Sequence, residues 1–308
     1  MALYPLATSY FGVEHVAVLE HPVLGTALSI PGVAEHAALV DVSLEPDTYT
    51  NGWRIRSDFG FLGFLDEVEA AEYPALERLK NSFAQPQTSA TVEVVDGKVE
   101  VAVSLGMWPW MVPVNDQPQG TALLAGGRGV LIDVAAGDLS SPQLQCMGTQ
   151  QFFVTLEDLS GTAVATCDDM VLGPCGDIAS LPGLRAAFEA ASASGAGLSA
   201  RAYTSHGMLA VDIPADTATT EEIFSPAVPP LRVPFLPPHL HPCPHSPKSG
   251  ITQYPARPSS LHFPRARVVR KDRTRSQPHP LRLPRRLRHN KLLTRPRRLK
   301  PAPSLQNW

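Results

Sequence analysis

The chain has 308 residues, 44% of them apolar, and a net charge of −3, which is long enough for two ordinary domains with a sizeable core. The charge averages two unlike parts: residues 1–224 hold 8 Lys+Arg against 28 Asp+Glu, a net of −20, while residues 225–308 hold 18 against 1, a net of +17, together with 18 of the 31 prolines. No run of about 18 uninterrupted apolar residues occurs, and the N-terminus lacks a basic start followed by an apolar stretch, so neither a membrane span nor a secretory leader is expected and the cytoplasm is the expected compartment.

In chain order, "VEHVAVLEH" (13–21) and "HAALVDVSL" (36–44) are strand candidates, followed by "WRIRSDF" (53–59) and a turn at Leu62-Gly63. Pro74 then precedes a helical pattern, because a proline is tolerated where the amide would be unpaired anyway. Ala75, Leu76, Leu79 and Phe83 form its apolar stripe, with Glu77, Arg78 and Lys80 outside it. Strict alternation in "VEVVDGKVEVAVSL" (92–105) predicts a hairpin turning at Asp96-Gly97, since glycine accepts the positive φ such turns require. Residues 106–149 read as a Trp/Pro/Gly connector, and "TALLAGGRGVLIDVA" (121–135) within it predicts a second hairpin turning at Gly126-Gly127-Arg128-Gly129. Strands "QFFVTLED" (151–158) and "TAVATC" (162–167), a helix after Pro182 and a hairpin at His206-Gly207 complete the series.

These elements repeat at an offset of about 110 residues. Leu62-Gly63 falls on Leu172-Gly173, Ala90 on Ala200, Gly97 on Gly207, and Val99, Val101 and Val103 on Leu209, Val211 and Ile213; Pro74 and Pro182 match with a two-residue deletion between. The expected fold class is therefore α+β, with two related β-rich halves, each strand, strand, helix, hairpin. The first spans 1–105 and the second 150–214, joined by the β-rich connector. Residues 215–308 are expected to be a disordered, Pro/Arg-rich basic tail, because so few apolar residues cannot offset chain entropy.

In the first copy the order is a strand ending in "SLEP", a variable loop containing "DTYTN" (47–51), the strand "GWRIRS", a Leu-Gly turn, a helix and a hairpin. This order over residues 36–105, echoed at 150–214, resembles HIRAN-type domains, small β-rich modules associated with DNA-repair and helicase proteins. The resemblance implies binding of single-stranded DNA or DNA ends; no individual residue role is carried over from it.

The chemistry-bearing residues are sparse. In "AGGRGVLID" no lysine follows the glycines and a strand rather than a helix comes next, so a turn is expected instead of a phosphate cradle. "CDDM" (167–170) and "DEVEAAE" (66–72) read as solvated faces or helix starts. No nucleophile elbow, HExxH or CxxC occurs, and the four cysteines are too few and irregular for a disulfide framework, so an enzyme, a resident metal and a cofactor are not expected. "HLHPCPH", with His239, His241, Cys243 and His245, lacks the spacings of a structural metal site.

Candidate ligand-binding residues are Trp53, Arg54 and Arg56, whose two arginines share one strand face, and Trp108 and Trp110, which flank a proline and stack on a ligand if exposed or anchor the connector if buried. The leading expectation is a non-enzymatic binding protein with a protein partner, because an acidic folded part repels phosphate. The alternatives are HIRAN-like DNA binding, nucleic-acid binding through the basic tail by counterion release, and an enzyme of unidentified class. The abrupt loss of acids after residue 224 also admits a frameshifted end, selected for no ligand.

Overall fold

In the computed structural model, which describes residues 1–234, the chain forms two curled, mostly antiparallel sheets of seven strands each. The first half runs β1 (Ala2–Pro5), β2 (Val16–Val18), α1 (Leu24–Leu28), β3 (Ala38–Pro46), β4 (Trp53–Ser57), β5 (Gly60–Leu65), α2 (Glu67–Ala70), α3 (Ala75–Asn81), β6 (Ala84–Val95) and β7 (Lys98–Ser104). The second runs β8 (Thr121–Leu123), β9 (Arg128–Leu131), α4 (Ser141–Met147), β10 (Gln150–Leu159), β11 (Thr162–Cys167), β12 (Met170–Asp177), α5 (Pro182–Ser194), β13 (Gly197–Ser205) and β14 (Met208–Ile213).

The two halves are similar β structures. The first sheet has the order β2-β7-β6-β3-β4-β5 with β1 parallel to β6; the second has β9-β14-β13-β10-β11-β12 with β8 parallel to β13. Their hairpins share one register: Val95 pairs with Lys98 as Ser205 pairs with Met208, and Thr91 with Ala102 as Arg201 with Asp212. Both turns hold two consecutive residues at positive φ, Asp96 at 51° and Gly97 at 75°, His206 at 51° and Gly207 at 74°, so the histidine adopts the same turn as the aspartate. Each sheet curls until the chain leaving its edge strand meets the opposite edge: the Val23 amide donates to the Leu62 carbonyl at 2.7 Å, and the Asp133 amide to the Pro174 carbonyl at 2.9 Å.

Several elements differ from the sequence reading. Leu62-Gly63 and Leu172-Gly173 lie inside strands, β5 and β12, so each unit has three strands before its helix. The glycines are there for close approach: a Cβ on Gly173 would sit 2.2 Å from the Asp133 carbonyl oxygen, where β12 meets the chain beyond β9. β8 and β9 are not a hairpin; β8 pairs with β13 and β9 with β14, so residues 121–131 belong to the second sheet rather than to a connector. Phe83 leaves the stripe of α3 because its φ of 57° ends the helix, and it is 62% exposed with the Arg232 guanidinium 5.8 Å over its ring.

Residues 215–234, which composition assigned to the tail, are folded onto the halves. Ile223 (2% exposed) enters the second core and Val228 (7%) the first, and the Ala125 amide donates to the Ile223 carbonyl. The proline-rich composition hid three apolar side chains, Ile223, Val228 and Leu231, that find sites on the fold. Each half has its own core, built on Leu44, Ile55, Leu79 and Val101 in the first and on Val154, Leu184, Leu198 and Val211 in the second. Leu123 and Phe153 of the second half are buried in the first core, which locks the halves together. The "HLHPCPH" stretch and the basic run at 280–300 lie outside the described residues.

Candidate functional site: a cleft between the two halves

The alternating pattern of β6 buries every second residue from Ala84 to Val92, which leaves its other face half-buried. β13, its counterpart, is buried on both faces from Leu198 to Thr204. The difference arises because the first half covers β13. Ala7, Tyr10 and Phe11 pack with Trp110 on Tyr203, with ring centroids 4.9 Å apart for Phe11–Tyr203 and 5.4 Å for Trp110–Tyr203. The Trp110 indole Nε1 donates to the Thr204 carbonyl at 3.2 Å, and Gln151 Nε2 donates to the Tyr203 hydroxyl at 2.9 Å. Burial pushes the Tyr203 hydroxyl well above its ordinary pKa, so it stays protonated.

Beside this aromatic cluster a cleft of about 320 Å³ opens between the halves. One wall is the end of β1 and the chain after it (Pro5–Ser9) with Asp41, Gln87 and Ser89 from β3 and β6; the other is the chain after β8 (Leu124–Gly126) with Arg201 and Asp212 from β13 and β14. The chain after β1 corresponds to the chain after β8 and β6 to β13, whereas β3 and β14 are not counterparts. Ser225 and Pro226 complete the lining.

Two buried charges sit in this lining. Asp212, 2% exposed, accepts from the Phe11 amide through Oδ2 and from the Gly127 amide through Oδ1, both at 2.9 Å. Burial raises its pKa, and these amides and the Arg201 charge oppose the rise. Arg201 is 6% exposed, lies against the Phe153 ring at 5.8 Å, and is the cross-strand neighbour of Asp212. Among the described residues, no hydrogen bond or ion pair within 4.0 Å reaches its guanidinium. A buried guanidinium is costly unless its donors are matched, so a cleft lined by one is chemically an anion acceptor.

Of the residues singled out from sequence, Trp110 alone is seated next to this strand. Trp53 is 4% exposed in the first core. Arg54 is exposed, and Arg56 pairs at 2.9 Å with Glu45 on the neighbouring strand. Trp108 is 41% exposed and precedes Pro109 through a cis peptide bond. No local pattern singles out Arg201 and Asp212, although the repeat holds a signal: the matching positions in the first half are the uncharged Thr91 and Ala102.

Among the described residues, no group of three His, Cys, Asp or Glu side chains could hold a metal ion, and no helix is long and apolar enough to cross a membrane. Compared with known proteins, the chain matches no family model, no curated protein and no solved structure.

Proposed function

We propose that the protein is a non-enzymatic binding module, built from two copies of one β unit, whose ligand places an anionic group on Arg201 in the cleft between them. One observation carries this reading: Arg201 is 6% exposed, has no anionic or carbonyl partner among the described residues, and lines a cleft of about 320 Å³. A ligand carboxylate or phosphate would supply the missing acceptors, and charge-assisted bonds of this kind are about twice as strong as neutral ones. The experiment is thermal denaturation of the full chain against small carboxylates, with and without a second charged group, and inorganic phosphate, with Arg201→Met as control. A melting-temperature rise present in the native protein and lost in the variant supports the reading; no rise with any anion overturns it.

A second reading, HIRAN-like binding of DNA ends, is supported by the recurrence of the strand, helix and hairpin order in both halves. Against it stands the excess of 28 acids over 8 bases before residue 225. Retention of single-stranded DNA at moderate salt by residues 1–234 alone would favour it, and loss of all DNA binding on removing residues 235–308 would eliminate it.

A further inference from the structure

We infer that the ligand of the cleft is a free aliphatic α-amino acid, its carboxylate on Arg201 and its ammonium toward Asp41. This rests on the reading of the cleft as a binding site and adds the ligand class. The charges of the lining decide it. Among the described residues of the lining, Arg201 is the single cation and Asp41 and Asp212 are the two anions, which gives these residues a net of −1 before anything binds.

The two carboxylates differ in what they have left to offer. Asp212 has both oxygens engaged by backbone amides, from Phe11 and Gly127. Asp41 is exposed on β3, and among the described residues its side chain has neither a hydrogen bond nor an ion pair. A dianion such as phosphate would meet one cation and two carboxylates at close quarters, where reduced dielectric strengthens repulsion. A simple monocarboxylate would satisfy Arg201 and leave Asp41 unmatched. A molecule carrying a carboxylate and an ammonium satisfies both and enters neutral.

Shape and polarity agree with this. At about 320 Å³ the cleft is at the small end of ligand sites. Leu6, Leu124 and Pro226 supply an apolar surface for a short aliphatic side chain, while Gln87 and Ser89 supply hydrogen-bonding groups on the Asp41 side, where Ser89 is the cross-strand partner of Asp41.

The test is calorimetric titration of the full chain with L-alanine, L-valine and L-leucine. These are set against 4-methylpentanoate, which lacks the ammonium, isopentylamine, which lacks the carboxylate, N-acetyl-L-leucine and inorganic phosphate. One of the amino acids is expected to bind, with isopentylamine silent. Arg201→Met should weaken that binding on the order of a hundredfold. Asp41→Asn, an exposed change that does not threaten folding, should weaken it roughly threefold and leave 4-methylpentanoate unaffected. If 4-methylpentanoate or N-acetyl-L-leucine binds as well as leucine, or phosphate binds better, the inference fails and the anion-accepting cleft stands. If none of these probes binds, both fail.

Discussion

The Asp212 carboxylate accepts the Phe11 amide at 2.9 Å across 201 residues of chain, and with its other oxygen accepts the Gly127 amide at the same distance. Phe11 lies between the first two strands of one half and Gly127 between the first two strands of the other, so one buried side chain fastens the corresponding loops of both units. Asp212→Ala would leave two amides without acceptors in a site where the native residue is 2% exposed. At roughly 1–3 kcal/mol for each unsatisfied group, the expected loss is about 3 kcal/mol in urea unfolding. Asp212→Asn keeps one acceptor and should fall between; a loss below about 0.5 kcal/mol for the alanine variant would show that the loops are held by other contacts.

Burial raises the Asp212 pKa above its ordinary value, which fixes a direction for the pH dependence. A carboxyl with a higher pKa in the folded state binds its proton more tightly there. Its contribution to stability is therefore fully present below the unfolded pKa and is lost as pH rises through the folded one. The wild type should lose stability relative to Asp212→Asn as pH rises from about 4 through this window, where many surface carboxylates also titrate but do so in both proteins. Parallel melting-temperature profiles would show that Asp212 does not titrate differently on folding, and a difference of opposite sign would mean that Arg201 and the amides outweigh burial.

Much of the β architecture is legible in the sequence because it follows from period-two patterns and positive-φ turns. "VEVVDGKVEVAVSL" alternates around Asp96-Gly97, and the 110-residue offset carries the same register to His206-Gly207. β5 and β12 were hidden because "GFLGFL" and "MVLGPCGD" place glycines where a curled sheet needs close approach, and glycine in a short apolar run reads as a turn. The site was hidden for a different reason. In "LSARAYTS" the residues Ser199, Arg201 and Tyr203 alternate with apolar ones and read as a solvated face. Tyr203 is covered by Tyr10, Phe11 and Trp110, about a hundred or more residues away, Ser199 is bonded to Thr121 of β8, and Arg201 lies against the Phe153 ring; no local pattern encodes those contacts.

The segment after β14 is expected to contribute measurably to folding. Its Val228 amide donates to Gln117 Oε1 at 2.8 Å, its Val233 amide to Ser82 Oγ at 3.0 Å, and Arg78 donates through Nε to the Val233 carbonyl at 3.1 Å. A chain ending at Ile213 loses these and the buried Ile223 and Val228; at about 1.5–3 kcal/mol per buried aliphatic side chain, it should be less stable than one ending at Pro234 by roughly 4 kcal/mol. In the full chain, Arg78→Ala should accelerate hydrogen exchange at the Leu231 and Val233 amides while leaving Leu124, bonded to the Ser199 carbonyl, protected. Equal stability of the two truncations would place residues 215–234 outside the cooperative fold.

Glycine substitutions in the two third strands should differ in cost, because what an added Cβ meets differs. On Gly173 it would lie 2.2 Å from the Asp133 carbonyl oxygen and 2.9 Å from the carbon, both backbone, and the φ of +136° is one that side chains rarely adopt. On Gly63 the nearest atom is Leu19 Cδ1 at 2.8 Å, the end of a side chain that can rotate, with the His21 carbonyl oxygen at 3.2 Å. Gly173→Ala must therefore push β12 away from the chain beyond β9, breaking the bond from the Asp133 amide to the Pro174 carbonyl. Backbone strain and a lost buried hydrogen bond together should cost about 3 kcal/mol or more. Gly63→Ala, relieved in part by moving Leu19, should cost about 1–2 kcal/mol. Chemical denaturation of the two variants measures the difference; equal costs would mean that Leu19, 3% exposed in the first core, is held as firmly as backbone.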